Sequence, residues 1–204
     1  YYAASLNRNK KSYSKRTGNY DCDVCVIGGG FTGLSTAIEA SKQGLKVIVI
    51  EQNIIGWGAS GRNGGQIWND VSWGIENIEK NYGFTHANQL WNISQAAVEL
   101  IDERIAEFGI ECDKKNGGIH AATSISKLRE YVENCEYKSK TFNYDKLEVL
   151  NKIQTQEEIG SSIYHGGILD HGAGHLHPLK YSLGLMDAAE HLNVNIFENY
   201  KVKK

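Results

Sequence analysis

The feature that most constrains the fold is a glycine-rich turn between an apolar strand and a helix. Residues Gly28–Gly33 read G-G-G-F-T-G and fit the pattern G-x-G-x-x-G. The preceding run Cys22–Ile27 is rich in β-branched residues and predicts a strand, while Phe31–Gln43 repeats apolar residues at helical spacing. The apolar run Lys46–Ile50 predicts a second strand in a parallel sheet covered on both faces. Together these runs predict a β-α-β unit with a right-handed crossover.

Each part of this turn has a physical role in binding a dinucleotide. Gly28 permits the tight turn, Gly30 lets the backbone approach a pyrophosphate, and Gly33 lets the helix pack closely on the strand. The free N–H groups at the helix N-terminus attract phosphate. Glu51 ends the second strand, where an acid accepts hydrogen bonds from the ribose hydroxyls and argues against NADP. The motif alone leaves NAD and FAD open, and a glycine-rich turn with an incidental Glu is the structural alternative.

The charge balance excludes several classes of partner. Lys plus Arg number 22 and Asp plus Glu number 24, which gives a formal net charge of -2. This balance offers no electrostatic basis for binding nucleic acid or an anionic membrane surface. No apolar run approaches the roughly 20 residues of a membrane-spanning helix. We therefore expect small-molecule partners, no nucleic acid and no membrane span.

The four cysteines do not form a redox or zinc motif. Cys22 and Cys25 are spaced C-x-x-C, but on a strand two such residues face opposite sides and lie too far apart for a disulfide. No second C-x-x-C follows to complete a zinc site. Unpaired thiols are typical of a reducing compartment, so we expect a cytoplasmic location.

Residues 1–19 are expected to form an N-terminal arm. The first twenty residues contain no acid and carry a group of basic side chains: Arg8, Lys10, Lys11, Lys15 and Arg16. This composition is compatible with a transit peptide. A solvated arm is the favoured interpretation, since the segment has no amphipathic apolar face.

Beyond Glu51 the pattern alternates between helices and short strands. Residues 54–70 are rich in Gly, Ser and Asn and predict an ordered loop. The periodicity predicts helices over 75–82, 86–108, 124–138, 155–159 and 178–192. It predicts strands over 118–122, 147–150 and 194–197.

A group of histidines near residue 170 invites a metal interpretation. His165, His171, His175 and His177 fall in one short stretch, but no cysteine lies nearby and the glycines between them predict a turn. We therefore predict no metal site, although one of these histidines could instead reach a substrate pocket.

Four segments carry a resemblance to a known family. Asp23–Ala37 reads D-V-C-V-I-G-G-G-F-T-G-L-S-T-A, and Ile55–Gln66 reads I-G-W-G-A-S-G-R-N-G-G-Q. With Tyr1–Ser5 and Gly174–Pro178, they resemble the D-amino-acid oxidase superfamily of flavoproteins and, within it, the γ-glutamylputrescine oxidase branch. The resemblance extends along nearly the whole chain and is weakest over residues 124–165.

The resemblance implies FAD as the cofactor and a set of residues that bind it. Those implied to hold the pyrophosphate and the ribose are Gly28, Gly30, Phe31, Thr32, Gly33, Glu51 and Gln52. Those implied to run along the cofactor toward its isoalloxazine ring are Ser60, Gly61, Arg62, Asn63, Gly64, Gly65 and Gln66. Arg62 is then available to a phosphate or the flavin edge, and a surface salt bridge is the alternative. Val202 is implied to contact the adenine.

The resemblance also implies a domain organisation. The fold class is α/β, with a Rossmann-like FAD-binding domain formed by residues 20–82 and 172–204. Residues 83–171 are expected to be an inserted part of an α+β substrate domain. The C-terminal part of the family fold is expected to be missing, so no catalytic residue is assigned.

The implied activity is oxidation of the C–N bond of an amine or amino acid such as γ-glutamylputrescine. Hydride passes to the flavin, and oxygen or another electron acceptor then reoxidises it. Two alternatives stay open from the residues alone. One is an NAD-linked dehydrogenase or reductase. The other is a truncated, catalytically inert chain whose sheet exposes an apolar face.

Overall fold

A computed structural model of the chain describes residues 1–6 and 17–203. The basic residues of the expected N-terminal arm therefore lie outside the described residues. Two short 3-10 turns, Tyr2–Ser5 and Ala59–Gly61, accompany the helices and strands. In chain order these are β1 Val24–Ile27, α1 Phe31–Lys42, β2 Val47–Glu51, β3 Gln66–Ile67, α2 Ile75–Tyr82, α3 Phe84–Phe108, β4 Lys115–Ala122, α4 Ile125–Phe142, β5 Leu147–Leu150, α5 Lys152–Ile159, β6 Gly166–His175, α6 Pro178–His191 and β7 Asn195–Glu198.

The chain divides into two compact units. The first unit consists of Tyr1–Gly65, Arg104–Asp113 and Leu176–Lys204. The second consists of Gln66–Glu103 and Lys114–His175. Both units are thus built from segments that are separated in sequence.

The first unit contains a three-stranded parallel sheet in the order β1-β2-β7. Val24 of β1 pairs with Val47 of β2, and Ile48 of β2 pairs with Asn195 of β7. The central strand β2 is the most buried, since it has a neighbour on each side. On the β1 side the sheet is more open, and the Ile27 side chain is 70% exposed.

Helices α1 and α6 pack in the first unit through apolar faces at helical spacing. Leu34, Ala37 and Ile38 of α1 are fully buried, as Leu185 and Ala189 of α6 are. The helix α6 begins at Pro178, where the missing N–H costs nothing. Burial of such apolar faces supplies most of the stability of amphipathic helices.

The side chain of Arg104 is buried in the first unit. The Arg104 side chain is 2% exposed and donates to Glu39 Oε1 at 2.9 Å and to Ser35 Oγ at 3.2 Å. The guanidinium therefore reaches out of the interior to an acid on α1 that is half-exposed. Such an ion pair fixes the position of Arg104 relative to α1 but adds little to the free energy of unfolding, because burying the cation has a desolvation cost.

The second unit is built on an antiparallel sheet with β6 at its centre. Strand β4 pairs with β6 along one edge, and β3 and β5 also pair with β6. The register between β4 and β6 shifts between Asn116 and Gly118. Gly117 lies at this irregularity with a φ of +90°, a conformation that favours glycine.

An aromatic cluster forms the core of the second unit. Trp91 of α3 stacks on Phe142 with ring centroids 4.7 Å apart and meets the Tyr144 ring edge-on at 5.2 Å. Ile75 and Ile78 of α2 are buried in the same cluster. Aromatic pairs of this kind add to the stability gained from apolar burial.

The predicted fold class is confirmed, since a parallel sheet with helices accompanies an antiparallel sheet with helices. The largest difference from the sequence prediction lies at residues 166–174. The glycines there predicted a turn, but the structure forms the central strand β6. Smaller differences are the start of β1 at Val24 rather than Cys22 and the short strand β3 in the predicted loop. No helix within the described residues is both long and apolar enough to span a bilayer.

Candidate FAD-binding site

The glycine-rich turn follows β1 directly. Gly28 has a φ of +101°, and its N–H donates to the carbonyl oxygen of Ile50 at 2.8 Å. A Cβ added at Gly33 would lie 2.0 Å from the Gly28 carbonyl oxygen, well inside van der Waals contact. The first turn of α1 therefore approaches the end of β1 so closely that a side chain at Gly33 has no room.

Gly29 is a further constrained position, which the sequence reasoning missed. It is buried, and a Cβ there would lie 2.1 Å from Cδ1 of Ile55. Ile55 is itself 2% exposed and fills the space beneath the turn. The signal in the sequence was that Gly29 adds a glycine to the three that the motif requires, at a position where the pattern accepts any residue.

The N-terminus of α1 meets the loop that carries Ser60. Gly30 is the N-cap residue, and the N–H of Phe31 donates to Ser60 Oγ at 3.0 Å. A Cβ at Gly30 would approach the same oxygen at 3.0 Å. Intrahelical bonding starts with Leu34, so the N–H groups of Thr32 and Gly33 have no acceptor inside the helix. This end of α1 presents positive partial charge to the turn.

Glu51 closes the other side of the turn. Its Oε2 accepts the N–H of Gly29 at 2.8 Å, and its Oε1 accepts the N–H of Asn53 at 2.8 Å. These two bonds fix the carboxylate at the carboxyl end of β2. Each oxygen retains a lone pair for a further donor, as ribose hydroxyls require.

A second carboxylate lies on the neighbouring strand. Glu198 pairs with Glu51 in the register of β2 and β7, and its Oε1 accepts the N–H of Ile55 at 2.7 Å. Burial raises the pKa of Glu198 above its ordinary value, the Ile55 N–H opposes that shift, and Glu190 and Glu51 add to it. The sequence reasoning missed Glu198, and the signal was an acid directly after the predicted strand 194–197.

The loop after Gly56 is shaped by close backbone approaches. A Cβ at Gly61 would lie 2.0 Å from the Gly56 carbonyl oxygen, and one at Gly65 would lie 2.0 Å from the Leu176 carbonyl oxygen. Ser182 of α6 is fully buried, and its Oγ lies 3.2 Å from the Ser60 carbonyl oxygen. The loop thus packs closely on its own backbone at Gly56 and on the residues at and before the start of α6.

Asn63 organises the same loop from within. Its Nδ2 donates to the carbonyl oxygens of Ala59 and Ser60 at 3.1 and 3.0 Å, and its Oδ1 accepts the Gly65 N–H at 2.8 Å. All of these contacts are local, and they satisfy loop backbone groups that secondary structure does not pair.

The remaining predicted site residues lie at the periphery or apart. Arg62 is exposed, and its guanidinium lies 4.6 Å from the centre of the Trp57 ring. Gln52 and Gly64 are also exposed. Gln66 begins β3 and belongs to the second unit, where it pairs with His175. Val202 is 44% exposed and follows β7 in irregular chain.

The histidines near residue 170 have separate roles. His171 Nε2 lies 3.0 Å from Glu148 Oε2, and His175 is an exposed residue of β6. His177 is the N-cap residue of α6, where its Nδ1 accepts the Lys180 N–H at 3.2 Å. Within residues 1–6 and 17–203, no three potential ligands among His, Cys, Asp and Glu form a cation-binding group.

The second unit holds a cavity of about 880 Å³ between α4, the sheet and the segment after β3. Trp68 and His120 stack in its lining with ring centroids 4.2 Å apart. Burial lowers the pKa of His120, and the charge of Lys138 lowers it further. Lys138 itself pairs with Asp70 at 2.6 Å. The carboxylates of the lining are Asp70, Glu76, Glu130, Glu133 and Asp170. Negative charge beside aromatic faces can accommodate an organic ammonium group.

The residues of the first unit fit an FAD dinucleotide. The close contact at Gly33 brings the first turn of α1 against the end of β1, and a Cβ added at Gly28 would have nothing within 4 Å, so the backbone at Gly28 lies open to a ligand. The N-terminus of α1 has N–H groups that could donate to a phosphate, and Glu51 is a fixed carboxylate that could accept ribose hydroxyls.

Comparisons with known proteins identify the family. Residues 23–204 match the family described as DAO, FAD dependent oxidoreductase. The chain is 41% identical over 202 residues to a probable oxidoreductase, OrdL, of Haemophilus influenzae, covering 99% of this chain and 47% of that protein. It is 41% identical over 191 residues to the gamma-glutamylputrescine oxidoreductase of Escherichia coli, covering 92% of this chain and 44% of that protein.

A solved structure shows the same fold at low sequence identity. The L-amino acid deaminase of Proteus myxofaciens superposes with a TM-score of 0.76 at 18% identity, over 95% of this chain and 41% of that chain. The chain spans about half the length of the curated relatives it matches. The match over residues 23–204 and the 41% identity together place the chain in the DAO family of FAD-dependent oxidoreductases, whose cofactor is FAD.

Proposed function

We propose that this chain is the cofactor-holding part of an oxidoreductase that oxidises the C–N bond of an amine or amino acid, with a γ-glutamylputrescine-like amine as the substrate. The observation that carries the proposal is the turn in which Glu51 binds the N–H groups of Gly29 and Asn53 beside the N-terminus of α1. The 41% identity to the gamma-glutamylputrescine oxidoreductase of Escherichia coli supports the substrate class.

Each residue group has a separate binding role in the proposal. The turn formed by Gly28, Gly30, Phe31, Thr32 and Gly33 holds the pyrophosphate at the N-terminus of α1. The N–H groups of Thr32 and Gly33 are the donors, while Gly28 and Phe31, whose N–H groups bond to Ile50 and Ser60, shape the turn. Glu51 accepts the ribose hydroxyls, with Gln52 beside it. The loop from Ser60 to Gln66 runs along the cofactor. The exposed Arg62 side chain supplies a positive charge to a phosphate of FAD or to the edge of its flavin ring.

The bound FAD supplies a two-electron acceptor for the carbon next to nitrogen, with oxygen as the final acceptor. The protein orients the two partners. In the second unit, the acidic and aromatic lining of the cavity supports a positively charged amine as the class of substrate.

We infer that residues 1–204 alone do not catalyse the reaction. The chain covers 44% of the gamma-glutamylputrescine oxidoreductase it matches. The exposed Ile27 side chain on β1 also supports this inference, because exposed apolar strand residues favour association between chains. Gel filtration of the isolated chain tests it, and a monomer that turns over amine would contradict it.

The visible absorption spectrum of the protein expressed from its complete reading frame tests the main proposal. We expect flavin bands that survive desalting and that bleach under anaerobic conditions when γ-glutamylputrescine is added. Sarcosine serves as a second amine, and added NAD serves as the control for a nicotinamide-linked reaction. Flavin that stays oxidised with every amine would overturn the substrate class, while a colourless folded protein that binds NAD would overturn the cofactor role.

A further inference from the structure

Two segments that the proposed site leaves unexplained meet in the first unit. The 3-10 turn Tyr2–Ser5 lies against His177, the residue that caps α6. The rings of Tyr2 and His177 have centroids 4.8 Å apart, and Ser5 Oγ lies 2.9 Å from His177 Nε2. A ring contact and a polar contact therefore join the turn Tyr2–Ser5 to the start of α6.

The hydrogen bonds around His177 form a chain with one consistent direction. His177 Nδ1 accepts the Lys180 N–H at 3.2 Å, so this nitrogen carries no proton. In the neutral ring the proton then lies on Nε2 and is donated to Ser5 Oγ. The Ser5 hydroxyl donates in turn to the Tyr2 carbonyl oxygen at 2.9 Å. The cap of α6 thus fixes the tautomer that holds the turn.

The other end of the same turn is attached to the cofactor loop. The Tyr2 hydroxyl donates to the carbonyl oxygen of Asn63 at 2.9 Å. Asn63 is the residue whose side chain binds Ala59, Ser60 and Gly65 within the loop. A contact at Asn63 therefore restrains the whole segment between Ser60 and Gly65.

We propose that the turn Tyr2–Ser5 is an N-terminal clamp that holds the cofactor loop in its FAD-binding conformation. Tyr2 is a positioning residue that acts through Asn63, and His177 positions the clamp. Pre-ordering the loop lowers the entropy lost when FAD binds, because fewer conformations have to be given up. The proposal rests on the proposed role of the loop from Ser60 to Gln66 in FAD binding.

The test measures FAD affinity of the full-length protein carrying Tyr2→Phe. The variant keeps the ring on His177 and removes only the hydroxyl that reaches Asn63. Loss of one hydrogen bond of this kind predicts a rise of about three- to tenfold in the dissociation constant of FAD. We also expect a change in the visible circular dichroism of the bound flavin. Tyr1→Phe is the matched control, because Tyr1 is fully exposed, lies before the turn, and as Phe keeps the ring that meets Tyr2 edge-on. It is expected to bind FAD as the parent does.

A second variant acts at the other end of the clamp. His177→Asn retains a side chain that caps helices well and removes the ring and the Nε2 donor. We expect it to weaken FAD binding at least as much as Tyr2→Phe does. The double variant should weaken binding by less than the product of the two separate effects, because both act through the same contact.

Asn63→Ala distinguishes failure of the clamp from failure of the proposed site. If Asn63→Ala weakens FAD binding and Tyr2→Phe does not, the clamp is wrong and the loop assignment stands. If neither variant changes FAD affinity or the flavin circular dichroism, both the clamp and the loop assignment are wrong. If both weaken binding while Tyr1→Phe does not, the clamp is supported.

Discussion

The two units fix their loops in different ways. In the first unit, Gly33, Gly61 and Gly65 stand where a Cβ would come within 2.0 Å of a carbonyl oxygen. In the second unit, the buried Asp170 accepts the Tyr144 hydroxyl at 2.6 Å and the Gly172 N–H at 2.9 Å. The cofactor loop of the first unit is thus fixed by backbone in direct contact, whereas Tyr144 and Gly172 of the second unit are fixed by one buried carboxylate.

The two arrangements suit different tasks: the glycine contacts suit a surface for a ligand, and the Asp170 network suits the interior of a unit. Backbone brought together without side chains leaves N–H groups open to a phosphate ligand. A buried network has its donors and acceptors satisfied internally. Burial raises the pKa of the Tyr144 hydroxyl well above its usual range, and the Asp170 carboxylate raises it further. Tyr144 therefore remains a hydrogen-bond donor at physiological pH.

The largest expected effect comes from filling one of the close backbone contacts. Gly33→Ala places a methyl group 2.0 Å from the Gly28 carbonyl oxygen, so α1 has to move away from β1. We expect about 3 kcal/mol or more of destabilisation and a fall of at least about 100-fold in FAD affinity. Urea denaturation and FAD titration of the full-length protein measure the two quantities.

Gly58→Ala is the matched control for this variant. Gly58 has an ordinary φ of -77°, and a Cβ there would have open space around it. We expect unchanged stability and FAD affinity. A Gly33→Ala protein that binds FAD as tightly as the Gly58→Ala protein would show that the close contact between Gly33 and Gly28 is not needed for FAD binding.

A smaller effect is expected from breaking the polar network of the second unit. Asp170→Ala leaves the Tyr144 hydroxyl and the Gly172 N–H without their acceptor. We expect about 2–4 kcal/mol of destabilisation, seen as a lower urea midpoint. The holoprotein should bind FAD with the parent affinity under native conditions, because the change leaves the glycine contacts in place.

Asp102→Ala provides the surface control, since Asp102 is half-exposed and pairs with Lys114. Its effect should stay below about 1 kcal/mol. Equal urea midpoints for the Asp170→Ala and Asp102→Ala proteins would show that the second unit does not depend on its buried network.

The smallest effect is a gain in stability from Glu198→Gln. The folded-state pKa of Glu198 is raised, chiefly by burial, so the protonated form is favoured by folding and stability falls as pH rises through that pKa. The Gln side chain still accepts the Ile55 N–H and carries no charge. We expect the variant to match the parent below the ordinary Glu pKa of 4.5. Above it, the variant should exceed the parent by less than about 1 kcal/mol.

Thermal denaturation of both proteins across this pH range measures the difference. A Glu198→Gln protein that melts below the parent at neutral pH would show that the Glu198 charge stabilises the first unit. The acids Glu51 and Glu198 would then act as a favourable pair of acceptors rather than as repelling charges.

The sequence predicted the β-α-β unit because its signals are local. Apolar periodicity, the glycine pattern and the acid Glu51 all lie within one continuous stretch. Strand β6 was missed because its glycines resemble a loop. Gly167 and Gly174 are required by neighbours, since a Cβ at either would crowd the carbonyl oxygen of His120 or Lys115 on β4. That pairing is a tertiary contact, which local patterns do not contain.

The same limit applies to the candidate site. The roles of Gly28 and Gly33 in the turn follow from the motif. The contact of Ser60 Oγ with the Phe31 N–H and the position of Ile55 beneath Gly29 depend on how a later loop folds back. The acceptor role of Glu198 depends on β7 lying beside β2, which no local pattern specifies.

The pairing of Ile48 with Asn195 determines how long one edge of β2 stays unpaired while the protein is synthesised. Strand β2 is synthesised before the second unit, but its second partner, β7, is synthesised only after it. Closing so long a loop carries an entropic cost that grows slowly with its length, and prior compaction of the intervening chain reduces it. A nascent chain therefore exposes an edge of β2 until β7 has been synthesised, and synthesis stalled before β7 yields a species prone to aggregation.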